Sequence, residues 1–160
     1  MMDKLQKFCV ISLTQGGDHA GFELKEKVLK YLEESGYEVK HVGSFTPEMV
    51  DFPDIAKKVC EAIKSGEAER GIMVCGTGVG AAIACNKCPG IRASVVHDVY
   101  TAHQCVEHDN VQVMAIGGQI VGDVVAKELI DIFLKAEFSV SEEFRNRVAK
   151  LEQMDAERSK

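Results

Sequence analysis

A cysteine stands between an apolar run and a cluster of glycines near the middle of the chain. The segment from Gly71 to Gly80 reads GIMVCGTGVG, so that Cys75 ends the apolar run and three glycines follow at alternate positions. Glycine permits the positive φ angles of a sharp turn, and a helix that starts after such a turn leaves N–H groups free to bind an anion. Cys75 is therefore predicted to lie beside an anion-binding loop.

A thiol beside free backbone amides suits two chemistries when a histidine and an aspartate are in reach. One is acyl transfer through a covalent thioester, and the other is proton transfer next to a carbonyl group. A free thiol with a pKa of about 8.5 is only a few per cent ionised at neutral pH. A helix N-terminus behind Cys75 would stabilise the thiolate, so the same loop could activate the sulfur and hold the negative oxygen that forms.

The spacing of the other histidines and cysteines argues against a metal site. His103 and His108 lie five positions apart on a predicted helix, about 140° around its axis, and do not share a face. Cys85 and Cys88 have the spacing of a zinc or redox pair. A zinc knuckle requires a second such pair, however, and a redox pair opens its helix whereas this pair closes one. We predict no metal and interpret these thiols as buried side chains.

Strand patterns alternate with helix patterns on both sides of Cys75. Strands are predicted over residues 8–13, 37–42, 71–75, 91–96 and 111–116, and helices over residues 55–64, 81–87, 100–108, 121–135 and 141–154, with a further helix after residue 18. This alternation indicates a parallel sheet covered on both faces. We predict a single domain over residues 1–160, a three-layer α/β/α sandwich with a five-stranded, Rossmann-like parallel sheet and a C-terminal helix at about residues 141–156.

The carboxyl ends of parallel strands are where such sheets place their ligands. Asp18 and His19 follow the first strand, and His97 and Asp98 follow the fourth, so these side chains are expected at the same edge as Cys75. Asp18 has a second interpretation, as a cap of the helix behind it.

The charge distribution favours a small ligand. The net charge is −6, and the 25 acidic and 19 basic residues are scattered along the 160-residue chain. This balance argues against nucleic acid or an anionic membrane as the main partner. Residues 1–7 lack the apolar core of a signal peptide, so we expect a cytoplasmic protein with reduced thiols.

Five motifs give the chain a specific resemblance to a known family. The motifs are Asp18-His19-Ala20-Gly21, Asp51-Phe52-Pro53-Asp54, Cys75-Gly76-Thr77-Gly78-Val79-Gly80, Ala84-Cys85-Asn86-Lys87 with Gly90-Ile91-Arg92-Ala93, and His108-Asp109-Asn110. Their order resembles that found in the type B ribose-5-phosphate isomerases and the related galactose-6-phosphate isomerase subunits, and the resemblance extends from about residue 17 to residue 151.

The resemblance implies a cofactor-free aldose–ketose isomerase of phosphosugars. Its expected reaction converts ribose 5-phosphate to ribulose 5-phosphate through an enediolate, and Cys75 is the base that moves a proton between C1 and C2. The loop of Gly76, Thr77, Gly78 and Gly80 would hold the enediolate.

The resemblance also implies an active site shared between two subunits of a homodimer, or of a tetramer. Asp18, with His108 of the neighbouring subunit, would help to open the sugar ring. His19 and Arg147 would bind the phosphate, and Arg145 and Asp109 lie at or next to positions that contact the substrate in the family. The C-terminal helix would pack on a partner subunit.

Several positions depart from the family pattern. Gln119 and Glu143 stand where arginines are expected, Asp109 replaces an asparagine, and Phe52 replaces a tyrosine. Two lost bidentate phosphate donors would weaken binding of ribose 5-phosphate by roughly 1.5 to 3 kcal/mol each. Another phosphosugar, such as galactose 6-phosphate, therefore remains an alternative substrate, and a non-catalytic phosphosugar- or nucleotide-binding module remains an alternative function.

Overall fold

The structure is a computed structural model that describes residues 10–13 and 19–158. The strands are β1 (Val10–Leu13), β2 (Lys40–His41), β3 (Gly71–Cys75), β4 (Ala93–Val95) and β5 (Val113–Gly117). The helices are α1 (His19–Glu34), α2 (Phe52–Lys64), α3 (Val79–Asn86), α4 (Val99–Asp109), α5 (Asp123–Lys135) and α6 (Glu142–Arg158). The strands pair in the order β2-β1-β3-β5-β4, and every pairing is parallel. The predicted α/β class with a parallel sheet is confirmed.

Helices cover both faces of the sheet. Successive side chains of β3 point to opposite faces, so they pack into two separate cores. Ile72 and Val74 pack into a core with α1, α4 and α5, whereas Met73 and Cys75 pack into a second core with α2 and α3. Every residue of β3 and β5 is buried, as expected for strands inside a sheet that is covered on both sides. Cys75 thus belongs to the α2–α3 side of the protein.

The edge strands are shorter than the sequence predicts. β2 has two residues instead of the predicted 37–42, and β4 has three instead of 91–96. In the described part of the chain, β2 and β4 are the outermost strands of the sheet and each pairs with one neighbour only. The apolar residues that predicted these strands therefore extend beyond the residues that are paired. At the start of β4, Ile91 N–H donates to Cys88 O in a turn rather than to a strand. Two residues of the predicted first strand, residues 8 and 9, lie outside the described part of the chain.

The C-terminal helix α6 packs against α4 of its own chain. Val148 is buried there, and the Asp155 carboxylate accepts a hydrogen bond of 2.8 Å from the Gly90 amide. The helix runs to Arg158, slightly beyond the expected end. Its packing on a partner subunit remains a prediction.

Candidate active site

Cys75 lies at the carboxyl end of β3, on the last paired residue of the strand. Its side chain is 8% exposed, and its partner across the ladder is Gly117 of β5. The Gly78 amide donates a hydrogen bond to the Cys75 sulfur over 2.7 Å. The sulfur therefore accepts a main-chain hydrogen bond from the turn that follows the strand. The sequence prediction of a thiol beside backbone amides therefore has a direct geometric counterpart.

The turn after Cys75 requires glycine at its last position. Gly78 adopts a left-handed conformation with φ of 83°, and a Cβ atom there would lie 3.1 Å from the carbonyl group of Ala115. Gly78 is also the residue before α3, whose first intrahelical bond runs from Ala82 N–H to Gly78 O. The amides of Gly80 and Ala81 precede that bond and, like those at any helix start, have no partner within the helix. The turn can therefore hold an anion with main-chain donors.

Thr77 lies on the exposed side of this turn. Its hydroxyl oxygen accepts a hydrogen bond of 3.3 Å from Val79 N–H. Because the oxygen is the acceptor, the hydroxyl hydrogen is left to donate to a bound group. Thr77 can thus add a donor to the amides of the turn.

Residues at and after the end of β5 are hydrogen-bonded to the backbone of the turn. Gly118 N–H donates to Cys75 O over 2.8 Å, and Gln119 N–H donates to Gly76 O over 3.0 Å. The Gln119 side chain also lies beside Gly76, with its amide oxygen 3.4 Å from where a Cβ of Gly76 would be. These supports join strands distant in sequence, so the sequence alone does not reveal them.

Phe52 covers the first turn of α3. Its ring atoms lie 3.1 to 3.4 Å from where a Cβ of Gly80 would be, and 39% of the residue is exposed. The ring packs on Gly80 and at the same time forms a wall of the anion-binding turn.

His108 lies at the amino edge of the sheet, where the strands begin, whereas Cys75 lies at the carboxyl edge, where they end. It is in the last turn of α4, where its Nδ1 atom is 2.8 Å from Nε2 of Gln104 and its ring stacks on Phe144 with 3.9 Å between centroids. The chain enters β5 only a few residues later, at the amino end of that strand. β3 has five residues, so about 13 Å of strand separates the two edges. A single chain therefore does not bring His108 to Cys75.

The other candidate residues from the C-terminal part of the chain gather near His108. Arg147 forms an ion pair with Glu143 and lies 5.6 Å from the Phe144 ring centroid, while Arg145 lies 5.2 Å from the ring centroid of Phe138. Asp109 ends α4 and lines a cavity of about 420 Å³ between α4, α6 and β4. We call the group of His108, Asp109, Arg145 and Arg147 the amino-edge group.

Two candidates at the start of the chain are only partly accounted for. Asp18 lies outside the described residues, and His19 is the first residue of α1. β1 ends at Leu13, which pairs with Val74, the residue before Cys75.

The remaining described thiols differ from Cys75 in their surroundings. Hydrogen bonding to Cys85, followed by burial, raises the pKa of the Cys60 thiol far above its usual range. Burial raises the pKa of Cys88 and of Cys105 to about 11. Such thiols stay protonated and inert at neutral pH. Within residues 10–13 and 19–158, no three histidine, cysteine or carboxylate side chains are grouped so as to hold a metal ion, and no helix is long and apolar enough to cross a bilayer.

Comparison with known proteins places the chain among sugar isomerases. The family model described as Ribose/Galactose Isomerase matches residues 13–151. Ribose-5-phosphate isomerase B of Escherichia coli (strain K12) is 42% identical over 123 residues, which are 77% of this chain and 83% of that protein. Galactose-6-phosphate isomerase subunit LacB of Clostridium acetobutylicum is 39% identical over 134 residues, 84% of this chain and 76% of that protein.

A solved structure with the same fold supports this placement. Ribose-5-phosphate isomerase B of Clostridium thermocellum superposes with a TM-score of 0.85 at 41% sequence identity, and the match covers 92% of this chain and 98% of that one. Sequence and architecture thus lead to one conclusion: the chain belongs to the ribose/galactose isomerase family.

Proposed function

We propose that the protein is a cofactor-free aldose–ketose isomerase that converts ribose 5-phosphate to ribulose 5-phosphate, with Cys75 as the base. The observation that carries this proposal is the 2.7 Å contact between the Gly78 amide and the Cys75 sulfur. It lies at a turn where the amides of Gly80 and Ala81 have no partner within the helix that follows. Membership of the ribose/galactose isomerase family supports the reaction class.

The reaction needs one base and a stable site for one negative oxygen. The Cys75 thiolate removes the C2 proton of the open-chain aldose, and the electron pair moves through the C1–C2 bond to the carbonyl oxygen O1. The amides of the turn and the Thr77 hydroxyl stabilise that charge where it develops. Transfer of a hydroxyl proton from O2 to O1 and return of the proton from Cys75 to C1 complete the ketose, so that atoms and charge balance.

The same main-chain donors serve the base and the intermediate. In the free enzyme, the Gly78 amide and the start of α3 stabilise the thiolate. When the thiolate takes up the proton, the negative charge moves to the substrate oxygen, and the neighbouring amides stabilise it there. The total charge next to α3 therefore stays constant during the reaction, which keeps the barrier low.

We further propose that two copies of the chain share each active site in a homodimer, or in a tetramer of such dimers. His108 lies about a strand length from Cys75 of its own chain, so a neighbouring copy has to supply the imidazole that opens the sugar ring together with Asp18. Exposed apolar side chains surround the Cys75 edge, namely Val79 and Ile83 of α3 and Val99 and Tyr100 of α4. They offer a surface on which the second copy would pack.

The two arginines of the amino-edge group in the second copy would bind the phosphate together with His19. Arg145 and Arg147 are the donors, but Glu143 already occupies Arg147 in an ion pair. Beside Cys75, Gln119 presents a neutral amide next to Gly76. These two features reduce the positive charge available to a phosphate and favour a second candidate substrate, a longer phosphosugar such as galactose 6-phosphate, whose phosphate would reach a different position.

Replacement of Cys75 by alanine tests the reaction. The purified wild-type protein should form ketose from ribose 5-phosphate or from galactose 6-phosphate, and Cys75→Ala should reduce kcat at least about 100-fold, the usual effect of removing a general base. Cys88→Ala is the matched control, because this thiol has a pKa of about 11 and lies outside the turn. Circular dichroism checks that both variants fold.

Two outcomes would contradict the proposal. Undiminished turnover by Cys75→Ala would remove the cysteine from the mechanism. Binding of both phosphosugars by the wild-type protein without turnover would instead support the binding module that the sequence left open.

A further inference from the structure

The side chain of His97 acts as the hydrogen-bond acceptor where a backbone carbonyl would be expected, at the carboxyl end of β5. β4 pairs with β5 so that Val95 lies opposite Ala115, and Val96 N–H donates to Ala115 O over 3.0 Å. In a regular parallel ladder the next bond would run from Gly117 N–H to a backbone oxygen of the neighbouring strand. Gly117 N–H donates instead to Nε2 of the His97 ring, over 2.8 Å.

The backbone of Gly117 is in close contact with the backbone of the anion-binding turn. A Cβ atom on Gly117 would lie 2.8 Å from Gly76 O and 2.8 Å from Thr77 C. Gly117 also pairs with Cys75 across the ladder. A shift of the Gly117 backbone would therefore be transmitted to the backbone of the turn without any flexible side chain between them.

We propose that His97 is a positioning residue, which fixes the Gly117 peptide and through it the turn that carries Cys75. This inference rests on the function proposed above. The imidazole does not touch the reacting atoms, since Gly117 lies between its strand and β3. Its role is to hold the amides of the turn at the distances that the sulfur and the substrate oxygen require.

The hydrogen bond requires one protonation state of the ring. Nε2 accepts from Gly117, so the neutral ring carries its proton on Nδ1. Burial lowers the pKa of His97, and the Asp98 carboxylate acts in the opposite direction with a smaller effect. A protonated ring has hydrogens on both nitrogens and cannot accept. The contact should thus be intact at neutral pH and break only at a pH below the usual histidine pKa.

Two substitutions separate positioning from general structural damage. Glutamine has a side-chain oxygen near the place of Nε2 and does not titrate, whereas alanine provides no acceptor. We expect His97→Gln to keep kcat near the wild-type value at pH 7.5. At acid pH, kcat of this variant should fall less than kcat of the wild type, because glutamine does not titrate. We expect His97→Ala to lower kcat about five- to tenfold across the pH range with a smaller change in KM, because one hydrogen bond to a buried amide is lost.

A spectroscopic readout makes the test independent of turnover. In ¹⁵N-resolved NMR, the Gly117 amide signal of the wild-type protein should titrate together with the His97 ring, and in His97→Gln it should stay constant over the same pH range. The proposal is overturned if the Gly117 signal does not follow the ring, or if His97→Gln retains the full acid-side decline of the wild type. Should His97→Ala fail to fold, the comparison of His97→Gln with the wild type still decides.

Failure of this inference can be told from failure of the proposed function. If Cys75→Ala abolishes turnover while His97→Gln and the wild type share one pH profile, only the positioning role is wrong. If the wild type turns over no phosphosugar, the reaction is wrong, and the Gly117 titration still reports whether His97 holds the strand.

Discussion

The two edges of the sheet hold their candidate residues in different ways. At the carboxyl edge, Cys75 and its turn are fixed by main-chain hydrogen bonds and by glycines in close backbone contact. At the amino edge, His108 and Arg147 are held by ring stacking on Phe144 and by an ion pair between exposed side chains. Main-chain donors cannot rotate away, whereas long exposed side chains can. We expect from this comparison that the carboxyl edge carries the proton transfer, and that the two arginines of the amino-edge group determine which phosphosugar binds.

The largest expected effect comes from mixing two variants, one with a substitution at the carboxyl edge and the other with a substitution at the amino edge. Cys75→Ala and His108→Asn should each be nearly inactive alone. After subunit exchange, a mixed dimer has one site with both lesions and one intact site. Since half of the dimers in an equal mixture are mixed, activity should recover to about a quarter of the wild-type value. A coupled ketose assay after exchange measures the recovery.

A second mixture provides the control for this experiment. Cys75→Ala and Thr77→Val place both lesions at the carboxyl edge, so every site of their mixed dimer carries one of them, and mixing should add nothing to the activity of Thr77→Val. If native mass spectrometry shows complete exchange of the first pair without recovery, each site is formed within one chain.

Gly117→Ala should damage the carboxyl edge itself. The added Cβ would lie 2.8 Å from Gly76 O, from Thr77 C and from Cγ1 of Ile120, and two of these atoms belong to the main chain. Overpacking of this kind costs about 1 to 3 kcal/mol, and here the strain falls on the turn that holds Cys75. We expect a lower midpoint in urea and a lower kcat.

The matched control for Gly117→Ala is Gly122→Ala. Gly122 has an ordinary φ of −79° and open space where its Cβ would lie. The change should cost less than about 1 kcal/mol and leave kcat unaltered. Equal stability and activity of the two variants would show that the close contact between β5 and the turn is not needed.

The carboxyl edge could be predicted in large part from the sequence because its signals are local. An apolar run, a cysteine and closely spaced glycines specify a strand, a turn and a helix start within ten residues, and the alternation of such units gives the α/β class. The supports from Gly117 and His97 could not be predicted in this way. They depend on the register between β4 and β5, which is set by pairing between distant segments and leaves no periodic pattern at His97.

The amino edge shows the opposite relation between sequence and structure. The family resemblance identified His108 and Arg147 as candidates and implied that His108 acts from a neighbouring subunit. The direction in which α4 runs gives the physical reason why His108 lies far from Cys75 of its own chain. The ion pair of Arg147 with Glu143 is local, four residues apart on one helix. Its consequence for phosphate binding depends on where a second copy places that helix, and a single chain does not contain this information.

The smallest expected effect comes from releasing Arg147 from its ion pair. Glu143 and Arg147 are both about 60% exposed in their side chains, so their attraction is worth at most about 1 kcal/mol. Glu143→Gln removes the competing carboxylate, and KM for the preferred phosphosugar should fall by up to about fivefold at low ionic strength while kcat stays constant. The decrease should shrink at 0.2 M salt, because exposed charges are screened over about 10 Å or less. Glu142→Gln makes the same charge change in the same helix turn and controls for the lost attraction between a carboxylate and the helix N-terminus. If the two variants show the same KM at low salt, Arg147 does not bind the phosphate, and substrate choice has to be sought at the carboxyl edge, beginning with Gln119.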